Sequence, residues 1–313
     1  MTAKVFIDGA AGTTGLEIRD RLSGRSDIEL IAIPEGRRKD AAARADALNA
    51  ADAVILCLPD DAAREAVALI RQPGVKVIDA STAHRTAPDW AYGFAELEPD
   101  QRDRLGQATR ISNPGCYPTG FLALVRPLVR AGLLPAETPM SVNAVSGYSG
   151  GGKSMIAMFE DQSSPEATDT AFRAYALGLG HKHLPEMQAR SGLSHPPIFL
   201  PSVAKAYRGM LVEVPLHLHL LPKRPSGDAI RDLLSEAYRD SRVISVVSDN
   251  PSFLTIEQAA GTDRLELFVY ADETAGQARL IAALDNLGKG AGGAAVQNLN
   301  IALGMAEIEG LKL

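Results

Sequence analysis

Aromatic residues are scarce in this chain of 313 residues: 5% in all, with a single Trp. The 28 Gly and the abundant Ala instead suit helices packed closely on sheets, the composition of an α/β enzyme. Two Cys cannot build a disulfide framework, which points to a reducing cytoplasm. There is no basic surplus: Lys+Arg is 32 against 38 Asp+Glu, a net charge of -6. A general nucleic-acid binder is excluded on that balance. No apolar run approaches the roughly 18 residues of a membrane span. The opening MTAKVFIDGA has no basic-then-apolar leader. The expectation is a cytoplasmic protein with neither nucleic acid nor membrane as partner.

What is present is enough for two domains, at roughly 150 residues each. Hydrophobic residues at 46% exclude disorder as the main state. No internal repeat or low-complexity tract occurs. Lys4–Asp8, Ile28–Ile33, Ala53–Leu58 and Val75–Ala80 read as strands alternating with helical segments. Asp60 or Asp61 is expected to cap the helix in which Ala63, Val67 and Ile70 share a face. This is the βαβ signal of a parallel, doubly wound sheet. After about residue 141 the grammar changes. Met140–Val145, Met210–Leu221 and Leu265–Ala271 read as strands, with Glu213, His217 and His219 on one face of the second. Ala229–Tyr238 reads as an amphipathic helix. The second part is thus expected to be α+β. After the Gly-rich segment 288–293, Val296, Leu299 and Leu303 mark a last helix that can pack back on the first domain.

Gly9, Gly12 and Gly15 lie between the first strand and the first helix. A tight turn there brings backbone N–H groups and a helix N-terminus against a pyrophosphate. Glu35 follows 20 residues after Gly15, where an acid would hold the ribose hydroxyls of NAD. Arg37, Arg38 and Lys39 come directly after it, and a guanidinium there suits the 2′-phosphate of NADP. A solvated basic turn is the plain alternative; the balance favours NADP.

Cys116 stands among Pro and Gly in Ser112–Gly120, just before Pro118 and an apolar helical run. That puts it at a helix N-terminus, where the dipole favours the thiolate. Cys57, inside an apolar strand, reads as a small buried hydrophobe. A nucleophilic Cys needs a base, and His181 and His183 in Gly180–Glu186 supply imidazoles, with Glu186 available to fix a tautomer. The alternative for two such His is a metal pair, which lacks further ligand-type neighbours in sequence. His217 and His219 read as cross-strand packing; His84 and His195 carry no signal. Gly147–Ser154 satisfies the GxxxxGKS expression of a phosphate loop. The Asp-ended strand expected downstream is missing, so the segment reads as a backbone cradle for an anionic substrate or a nicotinamide amide, with Lys153 or Ser149 nearby.

Together, Gly9–Gly15, Ser112–Thr119, Ser146–Lys153, Gly180–Glu186 and Asn286–Ala291 resemble the short form of N-acetyl-gamma-glutamyl-phosphate reductase, over nearly the full length. The resemblance implies a Rossmann domain with an inserted α+β catalytic domain, similar to the aspartate-semialdehyde dehydrogenase and glyceraldehyde-phosphate dehydrogenase fold. The expected division is 1–115 plus 288–313 for the NADP-binding part and 116–287 for the catalytic and oligomerisation part. It implies an NADP-dependent acyl-phosphate reductase of arginine biosynthesis. Its partners would be an acyl phosphate and inorganic phosphate, in a homodimer or homotetramer without a catalytic metal. Carried over by position, Cys116 matches the nucleophile, and His183 the acid/base ahead of His181. Gly9, Gly12, Thr13, Thr14 and Gly15 match the pyrophosphate loop. Ser81 and Arg85 resemble an S-x-x-x-R segment near cofactor and substrate phosphate, Arg208 a substrate-side position, and Asn298 a nicotinamide-side contact. Rival readings are a reductase of aspartyl phosphate or carrier-bound aminoadipyl phosphate, and a non-enzymatic NADP-binding regulator.

Overall fold

A computed structural model describes residues 2–37 and 40–313, so Arg38 and Lys39 lie outside the described residues, as does the side chain of Glu35. The chain forms two compact units. One runs to Pro114 and takes in Ala291–Leu311; the other is Gly115–Gly290 with Lys312 and Leu313. Against expected breaks after residues 115 and 287, the return crossing falls three residues later. Lys312 joins the second unit because its N–H and C=O both bond to Asp263.

The first unit opens with β1 (Ala3–Asp8), α1 (Thr13–Leu22), β2 (Ile28–Ile31), α2 (Ala41–Ala50), β3 (Ala53–Leu56), α3 (Asp60–Leu69) and β4 (Lys76–Asp79). β5 (Ala91–Tyr92), α4 (Gln101–Gln107) and β6 (Arg110–Ser112) complete a six-stranded sheet of order β2-β1-β3-β4-β6-β5, parallel throughout. Its strands are short apolar runs because both faces are covered. Val5, Ile7 and Ile55 pack with Ile18 and Leu22 on one side, and Phe6, Val54 and Val77 pack with Leu48 and Ala63 on the other. The expected cap of α3 is not made. Pro59 is the N-cap, and the Asp60 carboxylate instead accepts from Thr82 N at 2.9 Å and Thr82 Oγ1 at 2.5 Å.

The second unit holds α5 (Cys116–Arg130), β7 (Ser141–Gly147), α6 (Gly152–Glu160), β8 (Phe172–Ala174), α7 (Leu184–Ser191), β9 (Ile198–Ala204) and β10 (Met210–His217). α8 (Gly227–Ala237), β11 (Ile244–Val246), β12 (Leu265–Asp272) and β13 (Gln277–Leu284) follow. Seven strands form a mixed sheet of order β11-β12-β13-β10-β7-β9-β8. The strand expected to reach Leu221 stops at His217. Its partner β13 begins at Gln277, opposite His217, and Leu218 N–H bonds to Gly276 O in the turn beyond. Leu218–Leu220 therefore closes into a 3₁₀ turn, and His219 leaves the face it was expected to share with Glu213. Glu213 pairs across the sheet with Arg279 at 2.6 Å.

Gly288–Gly292, expected as a loop, is a π-helical turn that feeds α9 (Gly293–Ala302). Ala295, Val296 and Leu299 of α9 belong to the same core as Val5 and Ile7. The last helix is thus part of the first unit. Among the described residues no helix is long and apolar enough to cross a membrane.

Candidate active site

In the first unit, Gly9 takes φ +90°, and a Cβ there would lie 2.3 Å from Cys57 O. A Cβ on Gly15 would lie 2.5 Å from Gly9 O, so only glycines close this turn. Gly12 N–H bonds to Gly9 O at 2.9 Å, and Gly12 is the N-cap of α1 with no side-chain cap. Thr13 and Thr14 begin the helix, where the first N–H groups have no intrahelical acceptor. Beside the turn lies a cavity of about 350 Å³ lined by Asp8–Ala11, Arg19, Leu30–Ile33, Phe6 and Leu58. The cradle and the cavity fit a dinucleotide: anionic groups at the helix start, an adenosine-sized space next to it. Arg37, in a 3₁₀ turn after β2, directs its guanidinium to Asp40 at 3.1 Å. Cys57, expected as a buried hydrophobe, is half-buried against the sheet core, its thiol pushed up to about 12 by desolvation and by the carboxylates of Asp79 and Asp8.

At the end of β4, Asp79 is fully buried and organises the next six residues. Oδ1 accepts from Ser81 N at 2.9 Å; Oδ2 accepts from Ser81 Oγ at 2.7 Å and meets His84 Nδ1 at 2.6 Å. The His84 ring stacks on Trp90 at 4.0 Å between centroids and 9° between planes. His84, silent in the sequence, is thus an anchor of this segment. Arg85 is buried, with Nε donating to Asn113 O and Nη2 to Ala80 O. Asn298, fully buried on α9, donates from Nδ2 to Gly93 O at 2.8 Å and Asn113 Oδ1 at 2.9 Å. Its Oδ1 is a buried acceptor without a donor among the described residues, complementary to an amide N–H.

In the second unit, Cys116 is the first residue of the 15-residue helix α5, after an extended Gly115 N-cap that offers no side-chain cap. The positive end of the helix dipole stabilises negative charge on sulfur there. A Cβ on Gly290 would come within 2.9 Å of Cys116 Cβ, so glycine at that position is what allows the backbone to pass the thiol. Glu186, in the first turn of α7 and buried, accepts from Gly115 N–H at 2.8 Å. This bond ties Glu186 to the backbone just before Cys116.

The segment with His181 and His183 is a turn rather than an extended strand: Leu184 N–H bonds to His181 O. It sets the two rings 4.9 Å apart at 64°. His181 Nδ1 accepts from His183 N–H at 3.1 Å, which places the proton of the neutral ring on Nε2. Burial and then the Lys182 ammonium lower the His181 pKa to about 4. Tyr117, next to Cys116, contacts both rings, with centroids 6.1 Å from His181 and 5.8 Å from His183. Tyr175 OH donates to Tyr117 OH at 3.1 Å, and its own pKa is pushed up to about 12 by burial, with the nearby Cys116 adding to it. Tyr117 lies inside the Ser112–Thr119 motif without having been singled out, and Tyr175 lies outside every motif read in the sequence.

A polar hub lies at the end of β13. Asp285 is fully buried, and its Oδ2 sits 3.0 Å from Arg208 Nε. Asn286 donates to Ser149 Oγ at 2.9 Å and accepts from Gly209 N at 2.9 Å. Ser149 is buried, while Lys153, in the first turn of α6, is exposed. Among the described residues no group of three His, Cys, Asp or Glu side chains converges as a metal site.

The two units correspond to two known domains. Residues 4–105 match the semialdehyde dehydrogenase NAD binding domain, and residues 116–286 match the semialdehyde dehydrogenase dimerisation domain. Solved structures share the fold. Aspartate semialdehyde dehydrogenase II of Vibrio cholerae has a TM-score of 0.72 at 16% identity, covering 97% of this chain and 98% of that one. A probable aspartate-semialdehyde dehydrogenase of Pseudomonas aeruginosa has a TM-score of 0.72 at 17% identity, covering 97% and 99%. The protein is therefore of the semialdehyde dehydrogenase class, with a nicotinamide-cofactor domain and a Cys-bearing second domain. Two curated sequences named N-acetyl-gamma-glutamyl-phosphate reductase are each 52% identical to it. That of Trichormus variabilis covers 98% of this chain and 99% of its own length; that of Brucella ovis covers 97% and 100%. The chain belongs to the N-acetyl-gamma-glutamyl-phosphate reductase family.

Proposed function

We propose that this protein reduces N-acetyl-γ-glutamyl phosphate to N-acetylglutamate 5-semialdehyde, with NADPH as reductant and release of inorganic phosphate, in arginine biosynthesis. It works as a homodimer or homotetramer in the cytoplasm. The observation that carries the reading is Cys116 as first residue of α5, with Glu186 on the preceding N–H and the His181–His183 pair in the same unit.

Cys116 attacks the acyl carbonyl. The thiol proton passes through His183 to the departing phosphate, so the C–O bond breaks as the C–S bond forms, leaving a thioacyl enzyme. N–H groups in the first turn of α5 stabilise the oxyanion. Arg85, with Ser81, binds the phosphate; Arg208, Ser149, Lys153 and Glu186 serve the substrate side. Gly9, Gly12, Thr13, Thr14 and Gly15 hold the cofactor pyrophosphate, and Asn298 accepts from the nicotinamide amide. The cofactor supplies a hydride when bound. His183 then hands a solvent proton to the thiolate as the C–S bond breaks and the semialdehyde leaves.

The test is the reverse reaction: NADP⁺ reduction by N-acetylglutamate semialdehyde plus phosphate, with aspartate semialdehyde in parallel. Turnover of the first and not the second is expected. Preference for aspartate semialdehyde would overturn the substrate, and cofactor binding without turnover of either would point to a regulator.

A further inference from the structure

The cavity beside the glycine turn carries two charged side chains, Asp8 and Arg19. Asp8 is already neutralised: Arg44 Nε lies 2.6 Å from its Oδ2, with only 11% of the Asp8 side chain exposed. Arg19 is exposed on α1, four residues after Gly15, and its guanidinium has no ion pair or hydrogen bond among the described residues. Helical side chains lean toward the helix N-terminus, so Arg19 extends back toward the glycine turn and the C-terminal end of β2. Arg37, by contrast, is bound through Nε and Nη2 to Asp40 and does not line the cavity.

A dinucleotide lies across this crevice with its adenosine ribose at the end of the second strand. NADP differs from NAD there by one phosphate, whose oxygens match the fork of a guanidinium. We propose that Arg19 holds the 2′-phosphate and sets the preference for NADP(H). The assignment rests on the NADP(H) reading above and adds to it the residue that enforces it. An available cation on the cavity wall, beside an acid already paired, is the arrangement a dianion requires.

Calorimetric titration with adenosine 2′,5′-bisphosphate and with adenosine 5′-diphosphate tests this without turnover. The wild-type protein binds the bisphosphate more tightly. Arg19→Gln weakens it by roughly 10–100-fold, with 5′-diphosphate affinity within about twofold and an unchanged Tm. Arg19→Lys keeps part of the preference, and Arg37→Gln keeps all of it. An Arg19→Gln protein with wild-type preference overturns the assignment while leaving NADP(H) intact. A wild-type protein without preference removes the NADP(H) reading, and the role of Arg19 falls with it.

Discussion

The buried carboxylate of Glu186 accepts a hydrogen bond from the backbone N–H of Gly115 at 2.8 Å, one residue before Cys116. Helix α7 thereby fixes the residue that caps helix α5, and with it the direction in which the thiol enters its helix. Leaving that N–H without an acceptor in a buried position costs about 1–3 kcal/mol. Glu186→Ala is expected to lower stability by that amount in urea denaturation and to slow alkylation of Cys116 by iodoacetamide. Glu186→Gln, which keeps a carbonyl acceptor, retains most of both. Equal loss in the two variants would mean that charge, not the bond to Gly115, is what matters.

Cys116→Ser replaces the nucleophile by a far weaker one at nearly the same volume. Turnover is expected to vanish while NADPH binding, followed by its fluorescence, stays at the wild-type level. Turnover of the Ser variant near wild type would remove the thioacyl step.

The Asp79–His84 pair predicts a structural loss in the first unit. His84→Ala removes a hydrogen bond to a carboxylate and the ring stacked on Trp90, worth about 1.5–3 kcal/mol in urea denaturation. Asp79→Ala should cost more, since the partners at Ser81 N, Ser81 Oγ and His84 Nδ1 all lose their acceptor. A change below about 0.5 kcal/mol in both variants would show the segment to be held elsewhere.

These anchors mark where sequence reading reaches its limit. The Gly9–Gly15 turn and the Cys116 helix start were legible because their signals are local: glycines after an apolar run, Cys before Pro118. The last helix α9 was legible from the spacing of Val296 and Leu299, but periodicity only permitted its return to the first unit; the family resemblance implied it. His84 was not, because its partners lie five and six residues away through a folded turn with no regular period. Nor was the contact of Glu186 with Gly115, which bridges 71 residues. The end of β10 was misjudged because apolar alternation continues through Leu218 and Leu220, while the partner strand does not.

Stability should depend on pH through His181. Its folded pKa of about 4 lies below the ordinary 6.5, so between those values the unfolded chain binds a proton that the folded chain does not. Stability therefore falls as pH drops from 6.5 toward 4, and this contribution is constant above that window. His181→Asn keeps an acceptor for His183 N–H but cannot titrate. Urea denaturation at pH 7 and pH 5 should show a larger drop for wild type than for this variant. Equal drops would assign the acid sensitivity to other groups.

The same shift separates the two imidazoles in the reaction. A proton shuttle works best when its pKa lies near the working pH. His181, held neutral to about 4 by burial with Nδ1 engaged by the His183 N–H, is poorly suited to give up a proton at pH 7. His183 stands at the entrance of α7, in contact with the ring of Tyr117, which directly follows Cys116. His183→Ala is expected to lower kcat by roughly 10²–10⁴. It should also slow alkylation of Cys116 near neutral pH, because the thiolate loses the group that takes its proton. His181→Asn should act mainly on KM, through its packing against Tyr175 and Phe199. If His181→Asn instead shows the kcat loss and the slowed alkylation, the two roles are exchanged. If neither variant does, the proton is moved by a group outside this turn, and the Tyr117–Tyr175 hydroxyl pair becomes the next to test.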